Sequence, residues 1–211
     1  MQDNLKQFQQ DWDEFSKRCA FPATHSVTIF QQLLKAYSEP QRHYHSVQHI
    51  IECLKHLDEV RHLLQDAQGV ELALWFHDVV YNPQSVQNED DSALLMLQLC
   101  ADLFPAKQLS KVANWIRATR LHSATDESDL QYLLDIDLAI LATDEMRFNE
   151  YEAQIRKEYA WVDATLYDVK RADVLNNFYQ AEMLFQTVYF QQKCESKAKQ
   201  NLAKTLILYK K

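Results

Sequence analysis

The 211-residue chain contains a single glycine, against an average usage of about 7%. Glycine supplies the positive φ angles that two-residue hairpins and many bulges require. A chain this poor in glycine has little means of reversing strand upon strand, so helices joined by short polar turns are the expected architecture. The apolar residues agree, recurring mostly at the helical period. Leu5, Phe8, Trp12 and Phe15 form one stripe, and Val27, Phe30, Leu33, Leu34 and Tyr37 a second. Ile50, Ile51, Leu54, Leu57 and Val60 form a third, and Leu94, Leu95, Leu97, Leu99 and Leu103 mark a fourth region. Leu109, Val112, Trp115 and Ile116 follow Pro105, and then come Tyr132, Leu133, Ile136, Ile140 and Leu141. From about Glu145 onward the pattern predicts two or three more helices rich in Tyr and Phe.

Breaks fall at Pro22, Ser38-Glu39-Pro40, Asn82-Pro83 and Pro105, where helices stop and turns begin. Asn88 stands where a helix N-cap would, ahead of Glu89, Asp90 and Asp91, whose charges favour a helix N-terminus. No repeat, low-complexity tract or Gly/Ser linker interrupts the chain. A chain of this length buries roughly 70% of its unfolded surface, enough to fold without a staple. The expectation is an all-α protein, one compact bundle of eight to ten helices over residues 1–211. The part expected to carry a metal site would span about 25–145, with a C-terminal helical part over about 146–211.

Apolar residues make up 47% and charged residues 25%, as in ordinary soluble domains. The net charge of −8 argues against generic nucleic-acid binding, which needs a broad basic surface. No apolar run approaches the ~18 residues of a membrane span, and the polar, acidic N-terminus is no signal peptide. Cys19, Cys53, Cys100 and Cys194 are far apart and form no C-x-x-C pair. They read as reduced thiols, and the expected location is cytoplasmic. The basic, amphipathic segment KAKQNLAKTLILYKK reads as a solvated closing helix. A homodimer is the default oligomer.

The chemistry must come from polar residues that the apolar stripes do not explain. WFHDVVYNP, residues 75–83, runs from a segment built for burial into His77-Asp78. A buried carboxylate is costly unless paired or metal-bound. Six of the eight histidines fall between positions 43 and 77; of these, His56 and His62 read as helix-surface residues. His43, His45 and His49 crowd RHYHSVQHI, where a helix starting near Ser46 would carry His49 in its first turn. In LLDIDLAILA, Asp135 could cap a turn or face solvent, whereas Asp137 is flanked by apolar residues and harder to leave unpaired. His49, His77, Asp78 and Asp137 thus offer two imidazoles and two carboxylates. Such a set suits Mn, Fe, Co, Ni or Zn, with Mg also able to bind although it prefers more oxygen.

H…HD…D on an all-helical chain resembles the HD superfamily of metal-dependent phosphohydrolases. Tyr44-His45-Ser46-x-x-His49 is similar to the Y-H-N-x-x-H signature of the cyclic nucleotide phosphodiesterases in that superfamily, with Ser46 in place of asparagine. That resemblance implies His45 as general acid and His49 as a metal ligand. R-x-Y-H-x-x-x-H, HD-x-x-Y, N-E-x-x-S-A (Asn88, Glu89, Ser92, Ala93), D-x-D-L-A-I-L and I-R-x-E-Y (Ile155, Arg156, Glu158, Tyr159) resemble a family of bacterial predicted HD-type phosphohydrolases of about this size. The implied activity is hydrolysis of a phosphate ester, in a nucleotide or a related phosphorylated metabolite. Asp78 would also orient or deprotonate the attacking water. Arg42, Arg120, Arg156 and Arg171 are candidate phosphate clamps, with Arg42 and Arg156 favoured by their motifs. His122 would contact phosphate or a second ion, and Glu89 would reach the site through water. Two other readings remain open: a di-iron HD-type oxygenase, which needs more histidines between His77 and Asp137 than His122 alone, and a non-catalytic nucleotide-binding module.

Overall fold

The fold is that of a computed structural model, which describes residues 2–209. Ten helices of ten residues or more, and no strand, occur among the described residues, so the all-α expectation holds. Two compact units divide the chain, one up to Leu134 and one from Asp135 onward.

The first unit contains α1 (Gln2–Arg18), α2 (Ala23–Tyr37), α3 (Val47–Val60), α4 (Ala67–Phe76), α5 (Asn88–Cys100), α6 (Ala106–Ala118) and the start of α7 (Ser128–Leu138). Helix α4 is apolar on nearly every side, which fits a helix enclosed all round. Val70 and Leu72 through Phe76 are fully buried. Trp75 sits at the centre of an aromatic cluster, with ring centroids 5.0 Å from Phe8 and 5.2 Å from Trp12. The Tyr37 hydroxyl donates to the Trp75 carbonyl at 2.9 Å. The one charged side chain inside α4, Glu71, is buried and accepts from Arg18 at 2.6 Å and Arg61 at 2.7 Å. Two guanidinium groups thereby compensate a carboxylate that would otherwise be costly to enclose.

Not every residue of the expected stripes is buried. On α1, Phe8, Trp12 and Phe15 are buried but Leu5 is exposed. On α2 the buried line is Ile29, Leu33 and Tyr37, whereas Val27 is exposed. Trp12 fixes this phase by donating its indole N–H to the Ser26 carbonyl and hydroxyl, both at 3.1 Å. On α5 the buried residues are Ser92, Ala93, Met96 and Cys100, and Leu94 faces solvent. Asn88 is the first residue of α5 rather than its N-cap. Its side chain instead pairs with the Asn82 backbone, accepting at 3.0 Å and donating at 2.9 Å.

The second unit carries the end of α7, a 3-10 turn (Ala139–Ala142), α8 (Glu145–Glu158), α9 (Ala164–Gln180), the short α10 (Val188–Phe190), a π-helical turn (Gln191–Glu195) and α11 (Ser196–Tyr209). The division inside α7 lies ahead of the boundary expected near residue 145. Asp135 supplies a reason: buried, it accepts from the backbone N–H groups of Gln186 and Thr187 and from the Thr187 hydroxyl, each at 2.7 Å. It therefore caps a turn of its own unit, one of the two roles open to it in the sequence. Asn201 of α11 donates to the Leu141 and Thr143 carbonyls at 2.9 Å, closing the end of the 3-10 turn. Of the basic C-terminal segment, Lys210 and Lys211 lie outside the described residues.

Candidate metal centre

His49 lies in the first turn of α3, behind the extended N-cap Ser46. His77 is the C-cap of α4, its backbone N–H bonded to the Ala73 carbonyl at 2.8 Å. Both imidazoles are buried, and Asp78 follows at the exit of α4 with its side chain 17% exposed. His77 Nδ1 stands 2.9 Å from the Leu74 carbonyl oxygen. A carbonyl only accepts, so this nitrogen carries the proton and Nε2 points into the centre. Within the centre, His77 Nε2 is 3.0 Å from Asp78 Oδ2 and 3.1 Å from His49 Nε2, and His49 Nε2 is 3.5 Å from the same carboxylate oxygen.

These distances match the edges of a coordination polyhedron. Two ligands about 2.1 Å from one ion stand roughly 3.0 Å apart at a right angle and roughly 3.4 Å apart at the tetrahedral angle. Three atoms that can each donate a lone pair thus converge on one point, with a buried side and a partly open side. The trio forms a group able to hold a metal ion. Burial alone would raise the Asp78 carboxyl, but the charges of His77 and His45 and hydrogen bonds from His49 and His77 outweigh it. Together they hold Asp78 well below the usual carboxylate range.

Two neighbouring residues shape the approach to the trio. The His45 ring stacks on Tyr81, with centroids 4.1 Å apart and planes 27° from parallel, and its centroid lies 6.1 Å from that of His49. Ser92 of α5 bonds both the N–H and the carbonyl of Val80, at 3.0 and 3.3 Å. The N-E-x-x-S-A motif therefore holds the turn after the HD pair, through Asn88 on Asn82 and Ser92 on Val80.

Arg42, a candidate phosphate clamp in the sequence, is engaged by protein partners. Arg42 is buried, and its guanidinium donates to Glu39 at 2.9 Å and to the carbonyls of His45 at 3.3 Å, Asp78 at 2.6 Å and Val79 at 2.9 Å. It ties the His45 segment to the HD turn and has little capacity left for a ligand. Arg156, in the second unit, donates to the Tyr159 and Val162 carbonyls beyond the end of α8 and lies 4.6 Å over the Tyr167 ring. These contacts tie the end of α8 to the turn that follows it. Arg171 pairs with Glu152 and Tyr151. Glu89 accepts from Arg120 at 2.9 Å, and Arg120 also binds Asp90. His122 occupies a left-handed backbone conformation, with φ of 48°, at the turn after α6. Asp137 is half-buried in the last turn of α7, in the second unit.

A cavity of about 590 Å³ lies beside the start of α3, lined by Tyr37, Glu39, Arg42, His43 and Ser46 among others, but by none of the trio. Its size alone gives no reason to place a substrate there. No family model, curated protein or solved structure matches the chain.

Proposed function

We propose that the chain is a metal-dependent phosphohydrolase of the HD type, cleaving a phosphate ester of a nucleotide or a related phosphorylated metabolite. The observation that carries this reading is the meeting of His49 Nε2, His77 Nε2 and Asp78 Oδ2 within 3.0–3.5 Å. The three residues would hold a divalent ion. A bound ion of this kind supplies Lewis acidity, polarising a phosphoryl oxygen and acidifying water.

The chain's own groups then manage two protons. Asp78 orients or deprotonates the attacking water. The water oxygen forms the new bond to phosphorus as the ester P–O bond breaks. The electron pair of that bond leaves with the alcohol oxygen, which takes a proton from His45. The products are the free alcohol and the phosphate; the proton taken from the water passes to solvent, and His45 regains one from it. Leu74 keeps the His77 ring in place during this cycle through its carbonyl.

The test is phosphate release from a panel of nucleotides and phosphorylated metabolites. Metal-stripped protein would be resupplied in turn with Mn, Co, Ni, Zn or Mg, with phosphodiesters followed by loss of substrate. Metal-dependent turnover that disappears in Asp78→Ala is the expected result. Metal content and turnover unchanged in both His77→Ala and Asp78→Ala would overturn the proposal.

A further inference from the structure

We infer that Tyr81 is the positioning residue for the His45 imidazole, and that Arg42 keeps the two in register. This rests on the phosphohydrolase reading, in which His45 gives a proton to the departing alcohol oxygen. General acid catalysis demands that the donor nitrogen be within hydrogen-bond reach of one particular oxygen. His45 belongs to a connecting segment between α2 and α3, and it is partly buried. A connecting segment alone leaves the plane of such a ring loosely defined.

Three contacts remove that freedom. The face of the ring lies on Tyr81, at 4.1 Å between centroids and 27° between planes. Tyr44 meets it nearly edge-on, at 4.9 Å and 78°. The His45 carbonyl is held by Arg42, which simultaneously binds the carbonyls of Asp78 and Val79. The same guanidinium lies 5.5 Å from the Tyr81 ring centroid. One side chain therefore spans the backbone beside the ring and the backbone of the turn that carries its platform. Stacking fixes the plane of the imidazole. Offset aromatic pairs contribute only about 0.5–1.5 kcal/mol, too little to matter greatly for folding. A small misplacement of a catalytic group can nonetheless cost roughly 100-fold in rate.

Tyr81→Leu removes the platform and Tyr81→Phe keeps it. Two readouts separate positioning from general support. The first is the chemical shift of the His45 ring protons in the metal-free protein, assigned by comparison with His45→Gln. Stacking on an aromatic face moves them upfield; the shift should persist in Tyr81→Phe and collapse in Tyr81→Leu. The second is kcat on p-nitrophenyl phosphate, whose leaving group needs little protonation, against kcat on an alkyl phosphate, whose leaving group needs it. In Tyr81→Leu we expect kcat on the alkyl ester to fall roughly 10- to 100-fold. The aryl ester should change by less than about 3-fold, within the scatter of a bystander mutation, and Tyr81→Phe should restore the alkyl rate.

Ring protons that do not move in Tyr81→Leu would show that the stack is absent and overturn the inference. An equal fall on both esters would assign Tyr81 a purely structural role and also overturn it. If the unsubstituted protein hydrolyses neither these esters nor any member of the nucleotide and metabolite panel with any of the five metals, the phosphohydrolase reading fails and this role fails with it. Turnover in the unsubstituted protein with no leaving-group discrimination in the variant sinks the inference alone.

Discussion

His77 Nδ1 faces the Leu74 carbonyl at 2.9 Å, which leaves Nε2 as the atom that would bind a metal. Two variants at the centre follow from this. His77→Ala and Asp78→Ala should each lower metal affinity by more than the roughly 10- to 100-fold that loss of an outer-sphere partner costs, read by calorimetry, with helical content unchanged by circular dichroism. Asp78 also makes a pH prediction for the metal-free protein. Its folded carboxyl lies well below 3.8, so its stabilising contribution is present above the unfolded value and lost as pH falls through the folded one. Asp78→Asn should therefore destabilise at about pH 5, and the gap from the unsubstituted protein should narrow toward about pH 3. At Arg42, removal leaves buried carbonyls of Asp78 and Val79 without their donor. Arg42→Ala should cost about 2–3 kcal/mol in urea unfolding, and Arg42→Lys should recover little, because an ammonium cannot reproduce the planar fork.

Helix α4 delivers His77 to the centre, and its start depends on the single glycine. Asp66 caps α4 by accepting from the Gly69 N–H at 2.9 Å, while Gln108 and Lys111 hold the same carboxylate at 3.1 and 2.5 Å. A Cβ at Gly69 would stand 2.6 Å from Asp66 Oδ2, and those donors leave the carboxylate little room to retreat. Alanine normally gains about 1 kcal/mol over glycine in a helix. Here loss of the cap, about 1 kcal/mol by itself, is joined by the weakened Lys111 and Gln108 contacts. Gly69→Ala should thus be net destabilising by roughly 1 kcal/mol, seen as a lower urea midpoint. In the second unit, Asp135 holds the turn at Gln186 and Thr187 with three donors on one carboxylate. Asparagine offers a single acceptor oxygen, so Asp135→Asn should cost about 1–3 kcal/mol and speed amide exchange at those two residues.

At the scale of the molecule, the trio belongs wholly to the first unit. An ion that binds the folded state alone stabilises it by about 2.7 kcal/mol at a free concentration 100 times its Kd. Hydrogen exchange should show added metal protecting the start of α3, the end of α4 and the turn after it. A stabilisation spread evenly over α8, α9 and α11 would mean that the ion binds elsewhere. No helix among the described residues is long and apolar enough to cross a membrane.

Helical architecture was legible in the chain because its causes are local: scarce glycine, prolines at the breaks and apolar residues at the helical period. The approach of His49 to His77 could be anticipated for a similar reason. Few residue types bind metals, and His77-Asp78 ends an apolar run that has no other use for a charge. Which face of a helix turns inward was not legible where more than one face is apolar. Helix α2 offers Val27 and Phe30 as well as Ile29 and Leu33, and the choice was made by Trp12 reaching Ser26 and Tyr37 reaching Trp75. Leucine-rich α5 likewise buries Ala93, Met96 and Cys100 instead. Arg42 is the clearest case on the functional side. In sequence it is one arginine beside a histidine motif, equally suited to phosphate. Its role depends on carbonyl groups 36 and 37 residues away, and a backbone carbonyl carries no signature of the residue it belongs to. Local propensity and ligand chemistry are written in residue types, whereas the partners of a buried donor are decided only when the chain has closed around it.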